Sequence, residues 1–113
     1  MTGGGDGDRD ESVRSFGEAV NMTAGEMEKW LGTPESRDAG QSDGSGESVG
    51  HASGRRIVAL LRTRKADLTD DDIAHMRKVV GYVHRHGKQR PEGDITDTRW
   101  RHSLMNWGHD PKK

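Results

Sequence analysis

Side chains able to do chemistry fall into three groups in this chain: clustered cations, scattered histidines, and one Gly-x-Ser-x-Gly run. Arg55, Arg56, Arg62, Arg64 and Lys65 form a first cationic cluster, and Arg77, Lys78, Arg85 and Lys88 form a second. Arg99 and Arg101 flank Trp100 further on. Cations gathered without acids neutralise phosphates, which supplies affinity and salt dependence but reads no base sequence. No acid lies between Asp72 and Glu92 to quench the second cluster. An ordinary solvated helix face also carries such charges, so their meaning depends on the elements that aim them.

The run Gly46-Glu47-Ser48-Val49-Gly50 matches a nucleophile elbow in its letters. That elbow is a strained turn between a strand and a helix, braced by an α/β sheet. No β-like run precedes it, and a chain of 113 residues has no room for the sheet. The neighbouring His51 does not help, because triad partners meet through the fold and not by adjacency. The run reads as a loop leading into a helix. All six histidines follow residue 50. His84 borders the apolar arc of its helix and His86 lies off that arc, so the pair lacks the i, i+3 or i, i+4 spacing of helix-borne ligands. A zinc site assembled from distant histidines is the alternative, but no metal is expected. Asp94, Asp97, His102 and His109 match no catalytic spacing. Neither an enzyme nor a cofactor is expected.

Composition bounds the architecture that must hold these groups. Hydrophobic residues make up 28%, charged residues 33%, and mean hydropathy is −1.03, so any core is small. Cysteine is absent, which removes disulfides, thiolate metal sites and thiol nucleophiles. No apolar run reaches signal-peptide or membrane-span length, and a soluble, cytoplasmic protein is expected. Net charge is −1, but its distribution is uneven. Residues 1–50 hold 4 basic and 11 acidic side chains, whereas residues 51–113 hold 14 basic and 8 acidic ones. An acidic half joined to a basic half is the pattern of a binding face with an acidic tail, though plain surface segregation would look the same.

Along the chain, residues 1–11 read as a disordered acidic and Gly-rich tail and residues 12–35 as a helical segment. There Val13, Phe16 and Val20 share one face. Thr23-Ala-Gly-Glu26 is a capping box, followed by Met27, Trp30 and Leu31 on one side, with Gly32 at a C′ position. Thr33-Pro34 opens a further turn. Residues 36–50 read as a flexible Gly/Ser-rich loop. Residues 51–113 are the basic helical region. A helix from Ser53 to about Arg64 turns Ile57, Leu60 and Leu61 inward, with Val58 at the margin. Thr69 caps a helix with three carboxylates in its first turn and Ile73, Met76, Val79, Val80 and Val83 on one arc. Thr96 is expected to cap a last helix with Trp100, Leu104 and Trp107 at core spacing, ended by Gly108-His-Asp-Pro111. The expected class is an all-α single domain of four to five short helices. Its core is Val13, Phe16, Trp30, Leu31, Ile57, Leu61, Ile73, Met76, Val80, Val83, Trp100, Leu104 and Trp107.

The stretches FGEAVNMTAGEMEKWL, SGRRIVALLRTRKADLT, HMRKVVGYVHRH and TDTRWRHSLMNWGHDP resemble a family of small proteins known as domain of unknown function 3140. Some members of that family carry the label "DNA-binding protein". The resemblance implies a role at DNA in a bacterial or archaeal cell, nucleoid-associated if so, and supplies no reaction, cofactor or catalytic residue. The leading expectation is a DNA-binding helical module using the eleven cations named above, without strong sequence specificity. The connection from Arg64 to Thr69 is too long and charged for a helix-turn-helix. A protein–protein adaptor with Trp and Arg hot spots is the second reading and RNA binding the third. No membrane partner and no small-molecule substrate are expected.

Overall fold

The computed structural model describes residues 4–39 and 49–113. Among them lie six α-helices and no strand: α1 (Gly4–Ala19), α2 (Ala24–Leu31), α3 (Pro34–Ala39), α4 (Val49–Leu61), α5 (Asp70–Gly87) and α6 (Arg99–Asn106). A 3-10 turn, Lys65–Asp67, joins α4 to α5. The all-α class is as expected, with one helix more than the upper count. That helix is α3, begun by Pro34 and Glu35, so residues 36–39 leave the expected loop and bury Ser36 and Ala39. Of the nucleophile-elbow letters, Gly46–Ser48 lie outside the described residues, while Val49 and Gly50 belong to the first turn of α4. No strand precedes them among the described residues. The helical path of α1 starts at Gly4, upstream of the Ser12 start that periodicity suggests, and residues 1–3 lie outside the described residues.

The Thr23–Glu26 capping box forms, and the Thr69 cap closes as a second one. Thr23 accepts from the Glu26 amide while the Glu26 carboxylate accepts from the Thr23 amide, and Thr69 and Asp72 repeat the exchange at α5. The last helix begins two residues later than expected. Thr98, not Thr96, accepts from the Arg101 amide at 3.2 Å. Thr96 instead turns toward Asp94, whose Oδ1 accepts from both its amide and its hydroxyl. Gly32 has right-handed backbone (φ −81°), because the chain passes directly into α3 and needs no left-handed cap.

Helix α1 packs along α5, α2 along α4, and α3 along α6, with α2, α4 and α6 meeting in the middle. Met27, Ile57, Val79 and Leu104 are completely or almost completely buried there. Each such side chain stabilises the fold by about 1.5–3 kcal/mol. Of the expected core, Val13, Trp30, Leu61, Val80 and Trp100 pack at its margin and the rest are buried. Leu60 goes fully inside while Leu61 stays at the edge, and Val79 goes deeper than Val80. Leu68 and Ile95, buried from connecting segments, had no periodicity to announce them.

The end of α6 closes the domain. Gly108 (φ +83°) is the C′ residue of a Schellman motif: its amide bonds to the Met105 carbonyl and the His109 amide to the Leu104 carbonyl. The Gly108 carbonyl then accepts from the amides of Asn21 and Met22. The Asn21 side-chain amide exchanges two hydrogen bonds with the Asp110 backbone, its Nδ2 donating and its Oδ1 accepting, and His109 Nδ1 lies 2.8 Å from the Ala19 carbonyl. The Gly-His-Asp segment thus clamps the α1–α2 turn.

Candidate nucleic-acid interface

The eleven expected phosphate contacts differ in their surroundings. The first cluster is largely neutralised by carboxylates, all but one of them distant in sequence. Arg56 pairs with Asp72 at 3.3 Å, Arg64 with Asp67 at 3.1 Å, and Lys65 with Asp10 at 2.7 Å. Arg62 makes a two-pronged contact with Glu28, whose carboxyl it holds below its usual range. Arg55 is exposed on α4 and also has a partner. These exposed pairs are each worth little in stability. Their consequence is electrostatic: a phosphate approaching this side meets Asp10, Glu28, Asp67 and Asp72 along with the cations.

Arg101 is engaged within the protein. Its Nε and Nη2 donate to the two oxygens of Asp110, each at 3.1 Å, and its Nη1 donates to the Thr96 carbonyl at 2.9 Å. Its side chain is only 17% exposed. Helix α6 turns this residue toward the C-terminal clamp. Burial pushes the Asp110 carboxyl up, but the Arg101 hydrogen bonds, the Lys112 amide and the charges of Arg101 and Lys113 outweigh it, so the net shift is downward. A depressed folded-state pKa means the pair stabilises fully above the unfolded carboxylate value, near pH 4, and loses that contribution as pH falls through the lower folded value. Replacing the pair (Arg101→Gln with Asp110→Asn) is therefore expected to flatten the fall of Tm below about pH 4. Melts from pH 6 down to pH 2 check this, and unchanged acid sensitivity would assign the loss to other carboxylates.

The second cluster is different. Arg77, Lys78 and Arg85 lie exposed on the outward side of α5, opposite Met76, Val79 and Val83, and Lys88 is exposed at its C-cap. Arg77 Nε donates to Ser12 Oγ at 2.8 Å, which holds it at the α1 edge without spending its charge on an acid. Lys78, Arg85 and Lys88 make no ion pair among the described residues. From Arg77 to Lys88 the helix rises about 16 Å. Arg99 stands apart on α6, exposed, with its Nη2 donating to the Asp38 carbonyl at 2.6 Å.

On the inner flank of α5 the structure assembles a set of rings that sequence reading missed. His75, Trp107, Tyr82, His86 and Trp100 follow one another within 25° of parallel, with centroid separations of 6.3, 4.3, 5.1 and 6.4 Å. The Arg90 guanidinium lies 5.6 Å from the Trp100 centroid. The expected placement of the histidines is reversed: His84 is exposed and His86 is half-buried in this set. His86 stands seven residues after Val79 and three after Val83, so it continues the buried flank. The spacing His75, Val79, Tyr82, His86 was the signal available. Among the described residues, no group of three or more His, Asp or Glu side chains is placed to hold a metal ion. No helix of the described residues is long and apolar enough to cross a membrane.

A model of the family described as "Protein of unknown function (DUF3140)" matches residues 15–105. No curated protein and no solved structure matches the chain.

Proposed function

The chain belongs to this DUF3140 family, and from that premise we propose that it is a DNA-binding protein that contacts phosphates through the outer face of α5. The observation that carries the proposal is the state of four cations. Arg77, Lys78, Arg85 and Lys88 share one exposed arc with no acid between Asp72 and Glu92, and the last three make no ion pair among the described residues. Arg56, Arg62, Arg64, Lys65 and Arg101 are paired with the protein's own carboxylates, whereas this arc gathers four cations with no carboxylate among them, which favours a partner that brings negative charge. Arg55, Arg56, Arg62, Arg64 and Lys65 are secondary contributors, and Arg101, paired with Asp110, is not among the contacts we propose. Contacts of this kind carry no base readout, so binding is weakly sequence-dependent. The setting that follows is the cytoplasm, at the nucleoid.

Three or four phosphate contacts imply a salt slope of about −3 to −4 in log–log form, a loss on the order of 100-fold between 50 and 200 mM salt. Changing Arg77, Lys78, Arg85 and Lys88 to Gln is expected to abolish both the binding and the slope while leaving Tm nearly unchanged. Fluorescence anisotropy with a random-sequence duplex measures both. Equal binding by the variant would move the interface elsewhere, and no binding by the parent at low salt would end the DNA reading. A single-stranded RNA competitor that displaces duplex at equal concentration would shift the partner to RNA.

A further inference from the structure

A cleft of about 560 Å³ opens between α5 and α6, within the size range of small-ligand sites. Its walls include the rings of Tyr82, His86, Trp100 and Trp107, and its polar groups include Ser103 and Arg99. Among the described residues no carboxylate lines it, and Arg99 is the one formal charge. One atom in this wall is unexplained. Nε2 of His86 is buried with no hydrogen-bond partner among the described residues. Burial holds the His86 imidazole below its usual pKa, with a backbone contact of Trp100 opposing the shift, so the ring is neutral near pH 7. A neutral imidazole nitrogen left without a partner is unfavourable unless something else supplies one.

We propose that this cleft is a nucleobase-binding site, in which a planar base lies against the ring wall, its edge meets His86 Nε2, and its phosphate meets Arg99. Each feature selects for part of that ligand. Aromatic faces hold a base by stacking whatever its identity. A base edge carries both donors and acceptors, so it satisfies Nε2 in either tautomer, whereas an aliphatic ligand leaves Nε2 orphaned. The Arg99 guanidinium in the wall favours an anion over a cation. Such a base comes from a free nucleotide or from an unpaired position in a strand, and the chemistry is the same. The site stands on its own observations and does not need the α5 phosphate face.

The test is titration of the full chain with adenosine monophosphate, adenosine, inorganic phosphate, an oligo-dA single strand and a blunt duplex, read by tryptophan fluorescence. Saturable quenching is expected with the nucleotide or the single strand, and weaker or none with inorganic phosphate and the duplex. His86→Phe keeps a ring and removes the nitrogen, so it is expected to weaken binding about tenfold while Tm rises. Arg99→Gln, at an exposed residue, is expected to weaken the nucleotide but not adenosine. Binding that survives the α5 charge-removal variant supports a site separate from the phosphate face. Response to the mononucleotide assigns the source as a free nucleotide, and response to the single strand alone assigns it to a strand. Absence of saturable binding to every base-containing probe at millimolar concentration overturns the proposal. So does binding that neither His86→Phe nor Arg99→Gln alters.

Discussion

Asn106→Leu is expected to destabilise the protein by about 3–5 kcal/mol and to lower Tm by roughly 10–25 °C. Leu has nearly the same volume, so the loss is not one of packing. Asn106 is completely buried, and so is Ser36 beside it. Its Oδ1 accepts from Trp30 Nε1 at 2.8 Å and from Ser36 Oγ at 2.5 Å, while its Nδ2 donates to the Ser36 carbonyl at 2.9 Å. One side chain thereby satisfies polar groups on α2 and α3 from its seat on α6. Leucine leaves the hydroxyl and carbonyl of Ser36 unpaired in the interior, at about 1–3 kcal/mol each. The Trp30 indole is only half-buried, so its N–H can reach water and adds less. Against a total stability of about 5–15 kcal/mol, this is a large fraction. Thermal and urea melts measure it. A loss under about 1 kcal/mol would show that Asn106 is not the hub its geometry implies. Adding Ser36→Ala to Asn106→Leu should cost less than the sum of the two single changes, because they remove the same contacts.

The second large effect separates two glycines that helix propensity treats alike. Gly17 lies in α1 with open space where a Cβ would stand, whereas Gly54 lies in α4 against both α2 and α6. A Cβ at Gly54 would sit 2.6 Å from Leu31 Cδ2 and 2.8 Å from the Asn106 carbonyl oxygen. The leucine methyl can move, but the carbonyl belongs to the backbone of α6 and cannot yield without shifting that helix. Gly17→Ala is therefore expected to stabilise by about 0.5–1 kcal/mol through propensity. Gly54→Ala is expected to destabilise by about 1–3 kcal/mol, the overpacking outweighing the same propensity gain. Larger residues at position 54 should fare worse still. Melting curves of the two alanine variants, measured together, decide the matter. A stabilised Gly54→Ala would mean that α4 and α6 are less closely apposed than the structure places them.

The candidate interface shows how far residue types carry an argument. The second cationic cluster was legible because its four members and their freedom from acids belong to one helix, whose periodicity sets their direction. The first cluster looked equivalent, yet its cations meet Glu28, Asp10 and Asp72 from other elements. Arg101 looked like a flanking surface arginine, and its partner Asp110 lies beyond the end of its helix. The ring-lined cleft was illegible for the same reason, since Tyr82 and His86 on α5 meet Trp100 and Trp107 from the far side of a turn.

By itself, then, the sequence determined the all-α class, the Thr23 capping box, the Thr69 cap, the Gly108 stop and the outward arc of α5. These depend on residues within three to eleven positions of one another, where helix geometry converts spacing directly into direction. Tertiary structure alone decided which cations are neutralised, that Asn106 ties three helices together, that Gly54 permits two of them to approach, and that His86 rather than His84 turns inward beside a cleft. Those facts rest on distances between elements, such as the 70 residues of chain separating Ser36 from Asn106. No local period encodes such distances, because they are set by how several apolar faces pack at once.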